Sequence, residues 1–390
     1  MTSERLREGR YPSSPRFARN RCRTLPHGSK ACARIKPLGR KAKHILDLQD
    51  LDDVAGSGPR FFALSESADL AKQVCAEARL CLSPIEEQRF EGMEFKFRPL
   101  DSVRGRTVVV LQSLAGSHDL PVGERLMRLL FLLLGLRDAG ASRRVVLLPY
   151  LTFARQDRRT QPRDPITSRY VAQLLEAAGA DQLVTLDVHN PAALANAFRM
   201  PVDHLSALPM MVDHFAAQFV QEGITVASPD IGGIKRAQLF RELLAARLGR
   251  AVDIAFIEKR RLNGVLSGGT LVGDVVGKTV LLVDDLCATG ETLIRAAKAC
   301  RDAGAAAVYV AVTHTPVEEG IDAVEAATTI SGVVVTDSTG FTAPPTNQSN
   351  NIHKRTTLSI APLLGQATRR FLAAKPLSPL LDRWPVAFED

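Results

Sequence analysis

Apolar residues recur through the middle of the chain in two rhythms. Residues 107–112 (TVVVLQ) and 144–149 (RVVLLP) are short, nearly unbroken apolar runs, the pattern of strands buried on both faces. Between them, residues 124–139 are leucine-rich at helical spacing and stop at Gly140, the residue type that closes a helix with a left-handed cap. Upstream, 61–64 reads as a strand, Ser65 or Ser67 stands where a cap is needed, and Leu70, Val74 and Ala78 share one helical face. Downstream, a helix over 170–178 ends at Gly179 and a strand over 182–187 follows.

The alternation then starts afresh. Strands are predicted at 224–228, 252–257, 280–285 and 307–313, with helices at 235–248 and 291–303. Residues 337–356 are polar and predict a loop; 358–374 predict a helix. Alternating strand and helix units imply mostly parallel sheets flanked by helices on both faces. Two such sets, meeting near 200–204, predict an α/β protein of two similar domains, 56–203 and 204–390, after a basic extension over 1–55.

With 390 residues, 45% of them hydrophobic and 24% charged, the chain has the material for two cores and the composition of an ordinary globular protein. A net charge of +8 points toward a polyanionic partner until it is located. Residues 1–44 hold 13 Lys+Arg against 2 Asp+Glu, leaving 37 basic and 40 acidic residues in the rest. The body is slightly acidic, and neither a nucleic-acid nor a membrane partner is expected. Four prolines in 1–44 argue against a stable helix there. An upstream start or disordered extension, a transit peptide, and a tether remain alternatives for it. The leucine-rich apolar run 129–134 falls far short of the roughly 20 residues of a membrane span. Six cysteines without C-x-x-C or zinc spacing fit a reduced, cytoplasmic location.

Candidate chemistry collects at strand ends. Residues 279–292 (TVLLVDDLCATGET) carry a strand into two adjacent acids, Asp284 and Asp285, then a short loop that opens a helix. Successive loop amides and a positive helix N-terminus make a phosphate cradle, and the acids suit hydroxyls or a bound Mg²⁺. Residues 154–159 (ARQDRR) place three arginines and a glutamine after another strand, a pattern suited to polyphosphate. TLDVHN brings His189 to a third strand end and SPDIGG brings Asp230 to a fourth, so that the pair is placed to share Mg²⁺ between phosphates. EKRR (258–261) precedes the glycine-rich stretch 262–270, which lacks periodicity and is placed to move as a lid. GDVVGKT (273–279) imitates a Walker A loop but is one residue short and precedes its strand, so it reads as a turn.

VLLVDDLCATGET resembles the phosphoribosyl diphosphate loop of phosphoribosyltransferase-fold proteins. Together with QRFEGME (88–94), SVRG (102–105), ARQDRR, PITS, LDVH, SPDIGG, EKRR and GDV in this order, it resembles the ribose-phosphate pyrophosphokinases over residues 61–372. The resemblance implies two phosphoribosyltransferase-like domains, with ATP between the first domain and a neighbouring subunit and ribose 5-phosphate on the second. It implies transfer of the pyrophosphoryl group of ATP to the C1 hydroxyl of ribose 5-phosphate, Mg²⁺ as cofactor, and homo-oligomers in which dimers build into hexamers. Arg104 in SVRG falls near the family's regulatory region and is compatible with phosphate control. Two other roles compete: a non-catalytic regulatory subunit of such a synthetase, and a phosphoribosyltransferase.

By the same resemblance, Lys259 and Arg261 are catalytic, and Phe90, Glu94, Arg155, Gln156, Arg158 and His189 hold ATP. Asp230, Asp284, Asp285, Ala288, Thr289, Gly290, Glu291 and Thr292 hold ribose 5-phosphate, and His189 and Asp230 carry the metal. The chain departs from the family pattern at Gly92, where Asp or Asn is usual, leaving nucleotide selectivity open. It departs again at Ala288 and Glu291, where Asp and Gly are common; the Glu291 carboxylate is expected to point away from the phosphate, with ordinary affinity and an altered rate.

Overall fold

The computed structural model describes residues 58–220, 223–262, 265–340 and 354–381; the basic extension expected over 1–55 lies outside the described residues, apart from which the side chains of Met93, 259–269 and Leu381 are also not described. The chain opens with β1 (Arg60–Ala63), α1 (Ala68–Ala78), a hairpin of β2 (Ile85–Arg89) and β3 (Phe95–Pro99), and β4 (Thr107–Leu111). It continues through α2 (Val122–Asp138), β5 (Arg143–Leu148), α3 (Thr167–Ala177), β6 (Gln182–Leu186), α4 (Pro191–Ala197) and β7 (Val202–Leu205). The five strands β1-β4-β5-β6-β7 form a fully parallel sheet in that order. Its strands are continuous apolar runs because both faces are covered. Phe62, Val108, Val110, Val146 and Leu148 face a core with α2 and α3, while Phe61, Val109, Leu111, Val145 and Leu147 face one containing α1.

The second half runs α5 (Leu208–Gln218), β8 (Ile224–Ser228), α6 (Ile234–Leu248), β9 (Asp253–Leu262), β10 (Val265–Val272), β11 (Thr279–Leu286), α7 (Glu291–Asp302) and β12 (Ala307–His314). It closes with α8 (Glu318–Ala326), β13 (Gly332–Thr336), β14 (Arg355–Leu358), α9 (Ala361–Leu372) and the single turn α10 (Ser378–Leu381). Its sheet has the order β10-β9-β8-β11-β12-β13-β14, parallel except at β9–β10. The chain leaves β8 for β9 on one side and returns to β11 on the other. A topological switch between β8 and β11 opens a crevice at their carboxyl ends, where ligands of open α/β sheets settle.

Several expectations shift. The stretch 262–270 is not without regular structure: 265–272 forms β10, antiparallel to β9 with an irregularity between Leu266 and Gly269. An edge hairpin satisfies its amides through β9 and needs no alternating core face, so periodicity did not reveal it. The polar stretch 337–356 is not all loop. Asp337, Ser338 and Thr339 are buried, 355–358 is β14, and 341–353 lies outside the described residues. Ser67 stands before α1, but its hydroxyl accepts from the Ser113 amide at 2.9 Å instead of capping the helix. The C-terminal segment does not stay with the second sheet: Ile360, Leu364, Ala367, Phe371 and Leu380 share the α1 core of the first. Gly365 lets α9 lie against α1, since a Cβ there would come within 2.3 Å of the Glu77 Cβ. GDVVGKT is a turn between β10 and β11, as read. No described helix is long and apolar enough to cross a membrane.

Candidate active site

Four strand ends, from β5, β6, β11 and β12, border one cleft of about 450 Å³. Arg155 and Gln156 enter it from the segment after β5, His189 from the turn after β6, Asp285 from the end of β11, and His314 from the end of β12. The sequence thus located the four expected residues that meet here, Arg155, Gln156, His189 and Asp285.

The turn that presents His189 is held from several sides. Asp187 accepts from the Ser206 hydroxyl at 2.7 Å, the Ala207 amide at 2.9 Å and, across the sheets, the Thr313 hydroxyl at 2.8 Å. The Val188 amide donates to Nε2 of His204 at 2.9 Å; burial pushes that imidazole toward its neutral, accepting form. Asp187 itself sits at φ 37°, a conformation that costs energy away from glycine and persists because its partners over-determine it. Buried His314 donates from Nε2 to the Leu186 carbonyl at 3.0 Å and lies edge-on to Tyr150 at 5.2 Å.

The arginine segment is braced in the same way. Asn190 donates to Asp157 at 2.7 Å while capping α4 through the Ala193 amide at 3.2 Å. Ser168, from the PITS motif, donates through its hydroxyl to the Gln156 carbonyl at 3.1 Å. Asp164 gathers the Thr160 hydroxyl and the Thr160 and Gln161 amides, and these bonds hold its carboxyl below the usual range. Arg155, Gln156 and Arg158 are left solvent-exposed.

At the heart of the cleft the two halves touch. Nδ1 of His189 lies 2.9 Å from Oδ2 of Asp285, and Oδ1 of Asp285 accepts from Nη1 of Arg236 at 3.0 Å. The hydrogen bond that His189 donates to Asp285 raises the His189 pKa against the opposing effect of burial. Burial acts against the Asp285 charge, yet His189 and Arg236 together hold its carboxyl well below the ordinary value. Asp284 goes the other way, raised by burial and by the neighbouring carboxylate.

Ala288, Thr289, Gly290, Glu291 and Thr292 follow directly, as the loop and first turn of α7. This loop is packed on α8. Gly290 has φ 77°, and a Cβ there would lie 2.5 Å from the Gly320 carbonyl oxygen, while one at Gly320 would lie 1.8 Å from that of Ala288. Glu291 is exposed. Asp230 follows β8 on the other side of the switch, its carboxylate accepting from the Gly233 amide at 3.2 Å.

Phe90 and Glu94 do not line the cleft. They stand exposed at the β2–β3 connection, joined by a backbone bond of 2.8 Å. Gly92 between them has φ 80°, a left-handed conformation that glycine adopts freely and Asn or Asp more readily than other residues. The departure from the family's Asp or Asn therefore preserves the turn's backbone. The hairpin is anchored by Arg128, which is nearly buried, pairs with Glu66 at 3.2 Å and Glu87 at 2.5 Å, and lies over the Phe97 and Phe95 rings. Lys259 and Arg261 lie on β9, opposite Gly269 and Leu266; their side chains are outside the described residues.

Sequence reasoning missed Arg236, Asp187, His204 and His314. One signal existed for Arg236: a cation in the first turn of a helix opposes the helix dipole and calls for an acidic partner.

Mostly parallel sheets flanked by helices, with Arg155, His189 and Asp285 brought by strand ends to a shared cleft, define an open-sheet α/β protein whose ligand site lies at the carboxyl ends of its strands. Comparison narrows this class. Residues 60–179 match the model of the N-terminal domain of ribose phosphate pyrophosphokinase, and 265–382 match that of the phosphoribosyl synthetase-associated domain. The ribose-phosphate pyrophosphokinase of Bacillus caldolyticus is 36% identical over 326 residues, 83% of this chain and 98% of its own length. That of Corynebacterium ammoniagenes is 35% identical over 329 residues, 84% of this chain and 98% of its own. The crystal structure of phosphoribosylpyrophosphate synthetase from Mycobacterium smegmatis superposes with a TM-score of 0.71 at 32% identity, covering 82% of this chain and all of that one. The chain belongs to the ribose-phosphate pyrophosphokinase family.

Proposed function

We propose that the chain transfers the β,γ-pyrophosphoryl group of ATP to the C1 hydroxyl of ribose 5-phosphate, giving phosphoribosyl diphosphate and AMP. The observation that carries this reading is the convergence in one cleft of Arg155, Gln156 and His189 from the first half with Asp285 from the second. The C1 oxygen bonds to the β-phosphorus as the bond from that phosphorus to the α–β bridging oxygen breaks. AMP leaves with the bridging oxygen, and the hydroxyl proton passes to solvent. Such a displacement asks the protein for alignment and charge neutralisation more than for covalent help.

On this reading Arg155, Gln156 and Arg158 bind the ATP phosphates, and the loop 288–292 holds the 5-phosphate through its amides and the N-terminus of α7. Lys259 and Arg261 meet the charge that builds in transition. Phe90 and Glu94 lie off the cleft's lining, and we read them as serving the cleft of a second copy of the chain in a homo-oligomer.

The residues present fit Mg²⁺. Nδ1 of His189 is taken by Asp285, which directs Nε2 outward from a side chain that is nearly half exposed, the arrangement of a metal-ligating histidine held by a carboxylate. The described residues contain no cluster of three or more His, Cys, Asp or Glu able to cage a metal. Mg²⁺ at phosphate sites takes few protein ligands, the rest being water and phosphate. His189 and Asp230 would hold the ion, which would neutralise charge on the transferring group.

Purified chain mixed with ATP, Mg²⁺ and ribose 5-phosphate is expected to release AMP only when the sugar phosphate is present. AMP release independent of the sugar, or none at all, would overturn the reading.

A further inference from the structure

Both oxygens of the Asp285 carboxylate are engaged by side chains, Oδ2 by His189 at 2.9 Å and Oδ1 by Arg236 at 3.0 Å. Its side chain is 7% exposed, that of Asp284 21%. Asp284 is held more loosely: its Oδ1 accepts from the Asp285 amide at 2.9 Å and reaches Arg236 at 3.5 Å. We infer that the acid pair divides its labour, Asp285 being a positioning residue that ties His189 to Arg236 across the two halves, and Asp284 the ligand of the ribose hydroxyls. The assignment rests on the proposed function and deepens it.

The strength of the bonds decides between the two acids. Each Asp285 oxygen keeps a second lone pair, but at 7% exposure and fixed by two charge-assisted bonds, roughly twice as strong as neutral ones, this carboxylate can turn toward an incoming sugar hydroxyl less than the more open Asp284 can. Arg236 supports the same division: in the first turn of α6 its charge opposes the helix dipole, so its place there is stabilised by the carboxylate it clamps. Through Asp285, the orientation of His189 on the ATP side is set by residues of the ribose side.

The test measures ribose 5-phosphate binding by calorimetry on the full chain in Mg²⁺, alongside kcat and the KM for ATP. Asp284→Asn is expected to weaken sugar-phosphate binding about tenfold or more, because the amide offers one acceptor oxygen where the carboxyl has two and leaves a ribose hydroxyl unpaired. Asp285→Asn is expected to leave that Kd within about threefold while lowering kcat about a hundredfold, and His189→Ala in the same chain to add less than about threefold, as for residues acting as one unit. A Kd weakened by Asp285→Asn as much as by Asp284→Asn, or losses that multiply with His189→Ala, would overturn the assignment. Should Asp285→Asn not fold, His189→Ala alone frees one Asp285 oxygen without removing a partner of Asp284 and must leave the Kd within about threefold; a tenfold change in either direction overturns the division. A wild-type chain that binds no ribose 5-phosphate overturns the proposed function and this assignment with it; loss confined to the Asp285 variant overturns the assignment alone.

Discussion

His189, in the turn after β6, and Asp285, in the last residues of β11, stand 96 positions apart in sequence and meet side chain to side chain at 2.9 Å. Around that contact Arg155 and Gln156 of the first half and Asp285 of the second line one cleft, so the cleft's shape depends on how the two sheets are held together.

Lys259→Ala is expected to fold normally and to lose about two to four powers of ten in kcat, the usual consequence of removing a group that stabilises transition-state charge. Circular dichroism and steady-state kinetics on the same sample decide it. Retention of more than roughly a tenth of wild-type turnover would remove Lys259 from the mechanism.

Gly320→Ala is expected to weaken both the fold and ribose 5-phosphate binding. Alanine gains about 1 kcal/mol in helix propensity, but its Cβ would sit 1.8 Å from the Ala288 carbonyl oxygen, inside any tolerable contact. Overpacking of this kind costs about 1–3 kcal/mol or more, so the clash wins. A melting temperature and a KM for ribose 5-phosphate both equal to wild type would show that the 288–292 loop does not depend on α8.

Arg128→Met is expected to lower stability by about 3 kcal/mol, because removing one member of a buried ion pair leaves carboxylates without their charge partner. Glu66 keeps Gln112 at 2.6 Å and Glu87 keeps Ser65, which holds the loss toward the low end of that range. The hairpin bearing Phe90 and Glu94 loses its anchor, so the KM for ATP should rise while that for ribose 5-phosphate stays put. Urea unfolding and the two KM values check this; equal rises in both would disconnect the hairpin from ATP.

Asp337→Asn is expected to stabilise the chain at neutral pH. Burial raises the Asp337 pKa above the ordinary aspartate value, against the bonds from the Ile360 amide and Ser359. The folded state therefore binds the proton more tightly than the unfolded state, and stability falls as pH rises from the unfolded pKa of about 3.9 through the higher folded value. Asparagine keeps an oxygen for the Ile360 amide, at 2.8 Å in the native chain, and removes the charge. Thermal melts from pH 3.5 to 8 should show a gain at the upper end that vanishes at the lower; a uniform loss would mean that the ionised form is the one the fold favours.

Much of this was legible in the sequence, and the reasons differ by element. Gly140 and Gly179 ended their helices with φ of 86° and 94°, because a left-handed stop leaves a residue-type signature. The strands of both sheets showed as apolar runs because helices cover both faces. The β2–β3 hairpin left no such trace: its strands alternate half-buried and exposed residues and carry charge at Glu86, Glu87, Arg89, Lys96 and Arg98. The return of α9 to the first sheet was invisible because an amphipathic helix records that it has a core to cover, not which one. At the site, motifs located Arg155, Gln156, His189 and Asp285. The clamp by Arg236 and the support from Asp187, His204 and His314 arise from contacts between distant segments, which spacing does not encode.

The central claim is that this cleft moves a pyrophosphoryl group intact. ATP labelled at the β-phosphorus, incubated with the chain, Mg²⁺ and ribose 5-phosphate, should deliver its label to phosphoribosyl diphosphate while unlabelled AMP appears in equal amount. Label recovered in ADP or inorganic phosphate, or left in ATP, would contradict it.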